Sequence, residues 1–174
     1  MTVAAGASAL KTKLPLAIVE TIESYGEVTF VVEKQSLLEA LRLLKNEGFR
    51  VLIDLTGVDY LEPEKRTKVV YLLHNPDTLE RVRLVLFAKR QERIPSVISL
   101  WRGADWYERE LYDLFGVEFD GRPAPERILM PDDWHGHPLR RDYALTEESV
   151  EFKHGVKPKV PSEIIPYVKE HKKS

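Results

Sequence analysis

The chain has 174 residues, with 26 lysines and arginines against 28 aspartates and glutamates, so its formal net charge is −2. This length suits one domain with tails, and the balanced charge lacks the positive field typical of nucleic-acid binders. The sequence contains no cysteine, which excludes disulfide scaffolds, thiolate zinc sites, cysteine nucleophiles and cysteine-held iron–sulfur clusters. No apolar run approaches the roughly 18 residues that span a bilayer, so we expect a chain of the cytoplasm or an equivalent compartment.

The N-terminal part of the sequence predicts a leader followed by a helix and a strand. Residues 1–15 are expected to form a flexible leader that ends at Pro15. Apolar residues at helical spacing predict a short helix over 16–22, which the glycine at position 26 closes. The β-branched and aromatic segment 27–33 predicts a strand.

A second helix is predicted to begin after Ser36, with Glu39 completing a capping box. Its apolar stripe consists of Leu37, Leu41 and Leu44, and Gly48 ends it. A strand is expected over 50–56, followed by a loop at 57–60.

The next segment predicts a β-hairpin. A turn at 62–66 precedes a strand over 68–74, and a second turn at 75–77 leads to an alternating basic and apolar strand over 81–87. The alternation favours an edge or one-sided strand, and residues 67–89 are expected to pair antiparallel. The element order predicts an α+β fold over residues 16–117, with a small mixed or antiparallel sheet and helices packed on one face.

A third helix is predicted between Asp105, as its cap, and Gly116, as its end, with Glu108 in the capping-box position. One apolar face consists of Tyr107, Leu111, Leu114 and Phe115. Trp106 and Tyr112 lie off this face, which suggests that the helix buries more than one side.

Beyond Val117 the periodicity ends and prolines recur. Residues 118–150 are expected to form an extended proline-rich arm that wraps a partner, because residues 128–143 mix Trp, Tyr and Arg, which are common in binding hot spots. Residues 151–174 carry six lysines against three glutamates and form a basic tail. Nucleic-acid binding through this tail is disfavoured, because the patch is local on a net acidic chain.

Three groups of residues could carry chemistry, and each also has a plainer explanation. His135 and His137, with Asp132 and Asp133, could hold a metal in a free-standing enzyme, although no further histidine or cysteine completes the usual ligand set. A hydrogen-bonded turn also explains them.

Two acidic groups remain. Glu108 and Glu110 are two positions apart and do not face each other on a helix, so capping and an Arg109–Asp113 ion pair explain this cluster better than a catalytic carboxylate pair. Asp54 and Asp59 follow a predicted strand, where strand-end capping and a turn are favoured over ligand binding because the sequence has no phosphate-binding glycine loop. The sequence also lacks GxSxG, so acyl transfer has no support.

Two long motifs, ADWYERELYDLFGVEFDG at 104–121 and RILMPDDWHGHPLRRDY at 127–143, resemble the C subunit of NADH-quinone oxidoreductase, the 30-kilodalton subunit family of respiratory complex I. Segments 51–60 and 94–101 give looser support. Arg122 and Glu126 depart from the family pattern. Related subunits of membrane-bound hydrogenases and of ferredoxin- or deazaflavin-dependent dehydrogenases are similar as well.

The resemblance implies a peripheral-arm subunit of a membrane-associated, proton-pumping complex, with no catalytic, cofactor-binding or metal-binding residues of its own. FMN and iron–sulfur clusters would belong to other subunits. The implied partners are the large quinone-site subunit of type D and iron–sulfur subunits of types B and I, on the cytoplasmic side of the inner membrane. The family motif supplies the implied interface residues: Trp106, Glu108, Arg109, Glu110, Asp113, Phe115, Gly116, Pro131, Asp132, Asp133, Trp134, His137, Pro138, Arg140, Arg141, Asp142 and Tyr143.

Overall fold

The computed structural model describes residues 5–61, 66–122 and 126–143. The chain divides into two compact units, residues 1–141 and 142–174, and of the second unit only Asp142 and Tyr143 are described. The described residues form three helices and seven strands, in chain order α1 (Ala5–Lys13), β1 (Ile18–Ser24), β2 (Glu27–Val32), α2 (Leu37–Asn46), β3 (Val51–Tyr60), β4 (Arg66–His74), β5 (Arg81–Lys89), β6 (Arg93–Pro95), α3 (Ala104–Phe115) and β7 (Glu118–Asp120).

Five strands form one mixed sheet in the order β1-β2-β5-β4-β3. The β2–β5 pair is parallel and the other neighbours are antiparallel, so the predicted α+β class and the hairpin of β4 and β5 are confirmed. Residues 81–87 were predicted to form an edge or one-sided strand, and the edge alternative is wrong, because β5 lies at the centre of the sheet. Its basic side chains are tolerated there because they find partners, as Arg83 does with Glu27 at 2.6 Å.

The core lies on the face of the sheet that the helices cover. Phe30, Tyr71 and Leu84 come from three adjacent strands and are fully buried against Leu41 and Leu44 of α2. Each large side chain buried in this way contributes on the order of 1.5–3 kcal/mol. The burial of alternate residues along β4 shows the two-residue period of a one-sided strand.

The N-terminal predictions need correction. Residues 16–22, predicted as a helix, lie mostly in strand β1, which pairs with β2 through a turn at Tyr25 and Gly26. The β-branched residues of this segment and its pairing with β2 outweigh its apolar spacing. The predicted leader contains helix α1, whose Leu10 is fully buried in the core.

Helix α2 is confirmed, but its predicted capping box does not form. A short 3₁₀ turn over Lys34–Ser36 precedes the helix, and this puts Ser36 at φ −93° and ψ −5°, in the helical region. Its side chain makes no capping bond there, because an N-cap oxygen reaches the first-turn N–H groups from an extended backbone. The stripe of Leu37, Leu41 and Leu44 is buried as predicted.

Strand β3 continues through residues 57–60, which were predicted to be a loop. Each of these residues pairs with β4, from Gly57 with Val69 to Tyr60 with Arg66. A Cβ atom on Gly57 would come within 2.8 Å of the Leu111 side chain, so the glycine allows α3 to pack against the strand. The predicted turn at 62–66 lies outside the described residues up to position 65.

The turn at 75–77 is confirmed, and Asn75 stabilises it because its side-chain oxygen accepts the Asp77 N–H at 3.0 Å. A second small sheet was not predicted. It pairs β6 with β7 in parallel, on either side of α3 in sequence. Three-residue strands are too short to show a period in the sequence.

Candidate functional site

Helix α3 and residues 126–141, the anchored arm, form one connected structure at the C-terminal end of the helix. Residues 118–150 were predicted to form an arm that wraps another protein, yet residues 127–140 bond to α3 of this same chain. The inner side of the arm is therefore occupied. A role in binding a partner stays a prediction for its outer surface. Residues 123–125 and 144–150 of the predicted arm lie outside the described residues.

Asp113 holds the start of the arm. Its side chain is fully buried, and its Oδ2 atom accepts the backbone N–H groups of Ile128, Leu129 and Met130 at 3.1, 2.7 and 2.9 Å. The Arg127 guanidinium donates to Oδ1 at 2.6 Å. Burial alone would raise the pKa of Asp113, but these donors outweigh it and hold the pKa below its usual range. Asp113 therefore pairs with Arg127, and the predicted ion pair between Arg109 and Asp113 is wrong.

Arg127 connects Asp113 to the next turn of the arm. Its second terminal nitrogen donates to the backbone carbonyls of Trp134 and Gly136 at 2.9 and 3.0 Å. One guanidinium thus joins α3 to two points of a loop that has no regular secondary structure. The planar, multi-donor guanidinium makes this geometry possible, because a lysine has no such fork.

The arm also supplies donors for the carbonyls at the end of α3, which have no partner within a helix. His137 lies 3.0 Å from the Asp113 carbonyl, the Leu139 N–H donates to Leu114 at 3.0 Å, and Arg140 donates to Phe115 and Gly116 at 2.6 and 3.1 Å. A carbonyl only accepts, so Nδ1 of His137 carries the proton. Burial, with nearby arginines, lowers the pKa of His137 and favours the neutral ring.

Gly116 ends α3 as predicted, at φ +68°. A Cβ atom there would collide with the side chains of Arg140 and His137. The glycine is therefore required twice, once by its left-handed backbone and once by the approach of the arm.

Asp59 holds the other end of the arm. Its carboxylate is buried, and the Arg90 guanidinium donates one hydrogen bond to each of its two oxygens, at 2.7 and 2.8 Å. The Thr67 hydroxyl donates to the same carboxylate at 3.2 Å. The Arg141 N–H donates to the same carboxylate at 2.9 Å. The prediction of a strand-end or turn role for Asp59 missed this, because its partners are 8, 31 and 82 positions away. Asp54 accepts the Leu55 N–H and lies apart from the arm anchors.

Glu108 performs a different task from the predicted capping. It is fully buried and accepts the Val97 N–H at 2.7 Å and the Ser96 hydroxyl at 2.9 Å, with Arg122 at 3.5 Å. Burial raises the pKa of Glu108 to about 7, against the opposing effect of these donors. Asp105, the predicted cap, instead pairs with Arg122 at 2.7 Å in the first turn of α3. Helix α3 begins at Ala104 and has no side-chain cap.

Other predicted interface residues lie at the surface of α3 or the arm. Trp106, expected to be buried, is 62% exposed and carries the Arg109 guanidinium 4.9 Å from its ring centre, and Arg109 also donates to the Glu126 carbonyl. The arm exposes Pro131, Asp132 and Asp133, while Phe115 is in the core and Glu110, Trp134 and Pro138 are half-buried. Asp142 and Tyr143 belong to the second unit.

The sequence did not single out Leu129 and Leu139, which are 61% and 51% exposed on the arm. Two large apolar side chains held outward by an anchored backbone are typical of a protein contact. The only available signal was their position inside the second long motif. The sequence did not single out Arg127 either, and its position in the same motif was again the only signal.

The metal-site hypothesis gains no support from the placement of its residues. His137 is turned to the Asp113 carbonyl and packs edge-on against Tyr112, while His135 is exposed. Among residues 5–61, 66–122 and 126–143, no three His, Asp or Glu side chains gather as a metal site. In the same ranges, no helix is long and apolar enough to cross a membrane.

Comparison with known proteins agrees with the motifs. The model of the family "Respiratory-chain NADH dehydrogenase, 30 Kd subunit" matches residues 30–149. The C subunit of NADH-quinone oxidoreductase from Citrifermentans bemidjiense is 43% identical over 138 residues, covering 78% of this chain and 86% of the relative. The corresponding protein of the same name from Roseiflexus sp. is 41% identical over 147 residues, covering 82% and 84%.

Two solved structures share the fold. A trypsin-resistant fragment of Nqo5 is 29% identical with a TM-score of 0.61, covering 68% of this chain and 97% of that one. A chain of the membrane-bound sulfane sulfur reductase, an archaeal respiratory membrane complex, is 26% identical with a TM-score of 0.70, covering 80% and 84%. The matched region includes α3 and the anchored arm, and the chain therefore belongs to the 30-kilodalton subunit family of respiratory-chain NADH dehydrogenase.

Proposed function

We propose that this chain is a peripheral-arm subunit of a membrane-associated, proton-pumping NADH:quinone oxidoreductase, which holds the quinone-reducing module together beside the large subunit. The observation that carries this proposal is the family match over residues 30–149, which includes the arm that Asp113 and Asp59 anchor. The subunit has no catalytic residue or cofactor of its own in this proposal. FMN and the iron–sulfur clusters belong to its partners.

The anchored arm is the contact surface in this proposal. Its inner side bonds to α3, and its outer side presents Leu129 and Leu139. Because the arm is ordered before binding, little conformational entropy is lost when a partner covers it. The partners are the large subunit of type D and the iron–sulfur subunits of types B and I, on the cytoplasmic side of the inner membrane.

Co-purification of the membrane complex tests the proposal. The double change Leu129→Asp and Leu139→Asp places charges on the outer surface of the arm, so the tagged subunit is expected to lose the large subunit. The matched control is Leu79→Asp, which alters a 75% exposed leucine in the turn between β4 and β5. Full retention of the large subunit by the double variant would reject the arm as a docking surface.

A related assembly with another electron donor is the second candidate. The likeness to a chain of a sulfane sulfur reductase complex favours it, with a TM-score of 0.70. Hydrogenase-type and ferredoxin- or deazaflavin-dependent complexes belong to the same group. Identification of the co-purified subunits decides between them, because NADH- and flavin-binding partners are expected only in the first case.

The isolated subunit provides an independent test of whether this chain binds a metal or oxidises NADH by itself. Metal analysis and NADH oxidation by the pure protein are both expected to be at background level. A stoichiometric metal or a turnover rate would favour the free-standing enzyme that uses His135 and His137.

A further inference from the structure

A groove of about 500 Å³ lies where strand β3 and helix α3 begin, on a surface separate from the arm anchors. Its walls are mainly apolar and come from the start of β3, the loop before α3 and the first turns of the helix. The side chains that shape it are Val51, Leu52, Trp101, Trp106 and Tyr107. Val51 and Trp106 are 41% and 62% exposed, so the groove opens to the surface.

The aromatic walls of this groove are fixed in place. The Trp101 indole N–H donates to the Arg50 carbonyl at 2.8 Å, and the Tyr107 hydroxyl donates to the Ile53 carbonyl at 3.0 Å. Their polar atoms are thus satisfied by the backbone of this chain. Lys45 lies over the Trp101 ring and Arg109 over the Trp106 ring, so an apolar side chain would contact the ring surface that these two cations leave open, as in the anchor pockets of protein interfaces.

The rim of the groove has one uncommitted cation among the described residues. Arg50 is engaged with Asp77 at 2.7 Å, and the Lys45 ammonium lies over the Trp101 ring. Arg102 is exposed, and its side chain makes no hydrogen bond or ion pair with the part of the chain that the structure describes.

The start of α3 adds positive potential at the same place. The 12-residue helix begins at Ala104 without a side-chain cap, and the space beside Gly103 is open. The N–H groups of Ala104, Asp105 and Trp106 already donate to the carbonyls of the preceding turn at 3.0, 3.4 and 3.3 Å, so the helix dipole alone favours a negative group here. The Asp105 carboxylate in the first turn is already paired with Arg122 at 2.7 Å.

We propose that this groove docks a segment of a neighbouring subunit that carries a carboxylate next to an aliphatic or aromatic side chain. The apolar side chain lies between Trp101 and Trp106, and the carboxylate pairs with Arg102 at the start of α3. A single free guanidinium matches one carboxylate, whereas a phosphate backbone needs several free cations. The proposal rests on the proposed function and adds a second contact surface to the arm.

Photo-cross-linking in the intact complex identifies the occupant. Trp106→p-benzoylphenylalanine keeps an aromatic group at the open side of the groove. The expected product joins this position to a neighbouring-subunit peptide that has Asp or Glu beside an apolar residue. A cross-link to a second copy of this chain, to a peptide without a carboxylate, or no cross-link at all would overturn the proposal.

Charge reversal then tests the pairing. Arg102→Glu is expected to make the partner dissociate at least tenfold faster, and replacing the cross-linked carboxylate by lysine is expected to restore most of the loss. A glutamate near a helix N-terminus stabilises the helix, so this variant is expected to fold. The control is Arg81→Glu, an exposed arginine at the start of β5.

Different results would contradict the groove proposal and the proposed function. If Arg102→Glu behaves as the unaltered chain while the Leu129 and Leu139 variant loses the large subunit, the groove proposal is wrong and the proposed function stands. If the unaltered chain never co-purifies with another subunit, the proposed function is wrong, and the groove has no partner.

Discussion

Arg127 of the arm and Asp113 of α3 form an ion pair 2.6 Å long, in which the carboxylate is fully buried and the guanidinium is 13% exposed. Three consecutive backbone N–H groups complete the environment of the carboxylate. A carboxylate with this many donors specifies a single conformation for the chain that surrounds it. The arm is therefore part of the folded domain, although its sequence has no helical or strand period.

The first prediction concerns Asp113. Asp113→Asn keeps the size of the side chain but removes the charge that Arg127 faces, and it replaces one acceptor oxygen with a donor. Breaking a buried pair at one partner costs about 3–5 kcal/mol, so the free energy of unfolding is expected to fall by that amount. Urea unfolding of the subunit measures it. Asp132→Asn, on the exposed side of the arm, is the control and is expected to change stability little.

This anchoring alters how the arm is best tested. Truncation after Gly121 removes Arg127 and the three N–H donors together, and it leaves the Asp113 carboxylate without its partners. Loss of the partner subunit by such a truncation would then report instability of α3 as well as loss of docking. Point variants at Leu129 and Leu139 avoid this, because their side chains face outward.

The second prediction separates two demands on Gly116. Gly116→Ala adds the cost of a left-handed backbone, about 1–2 kcal/mol, to a collision with Arg140 and His137. Gly121→Ala meets only the first cost, because its φ is +83° and nothing lies within 4 Å of its added Cβ. The Gly116 variant is expected to be clearly less stable in thermal unfolding. Equal losses would show that the arm moves aside without cost.

The third prediction concerns the far end of the arm. Asp59→Asn removes the charge that Arg90 pairs with and weakens the acceptor for the Arg141 N–H. Faster opening of this end is expected to accelerate trypsin cleavage after Arg140 or Arg141, measured by mass spectrometry over time. Asp54→Asn, on the same strand, serves as control. Unchanged cleavage in the Asp59 variant would show that the bonds between the arm and α3 are enough to hold this end in place.

The elements that were predicted well are those whose signal is local. Helices α2 and α3 have an apolar stripe that repeats over ten and twelve residues, which is long enough to identify the period. The β4–β5 hairpin has alternating strands on either side of a turn at Asn75. The α+β class follows from the order of these elements.

The errors occur where distant residues decide the structure. Residues 57–60 have the composition of a turn, yet β4 pairs with them and α3 needs the space above Gly57. The arm has no period at all, because bonds to Asp113 and Asp59 replace the regular ladder of a helix or sheet. Arg109 and Asp113 have helical spacing, but Asp113 pairs with Arg127 instead.

The last prediction concerns pH and Glu108. The pKa of this buried carboxyl is about 7 in the folded state, above its ordinary value of 4.5, so folding takes up a proton between these two pH values. The stabilising contribution is fully present below pH 4.5 and is lost as pH rises through about 7, by about 3 kcal/mol in total. The charged neighbours Arg122 and Asp105 oppose each other, since Arg122 lowers the pKa and Asp105 raises it.

Unfolding free energies measured from pH 5 to pH 8 check this expectation. Glu108→Gln removes the titrating group and is expected to flatten the decline, because glutamine keeps an acceptor for the Val97 N–H. Glu110→Gln, two positions away on α3, is expected to keep the slope of the unaltered chain. Subtracting the two curves cancels the titration of the remaining groups. If the difference between the variants is independent of pH, the Glu108 carboxylate is already ionised in the folded state at pH 5, and its contacts with Ser96, Val97 and Arg122 outweigh its burial.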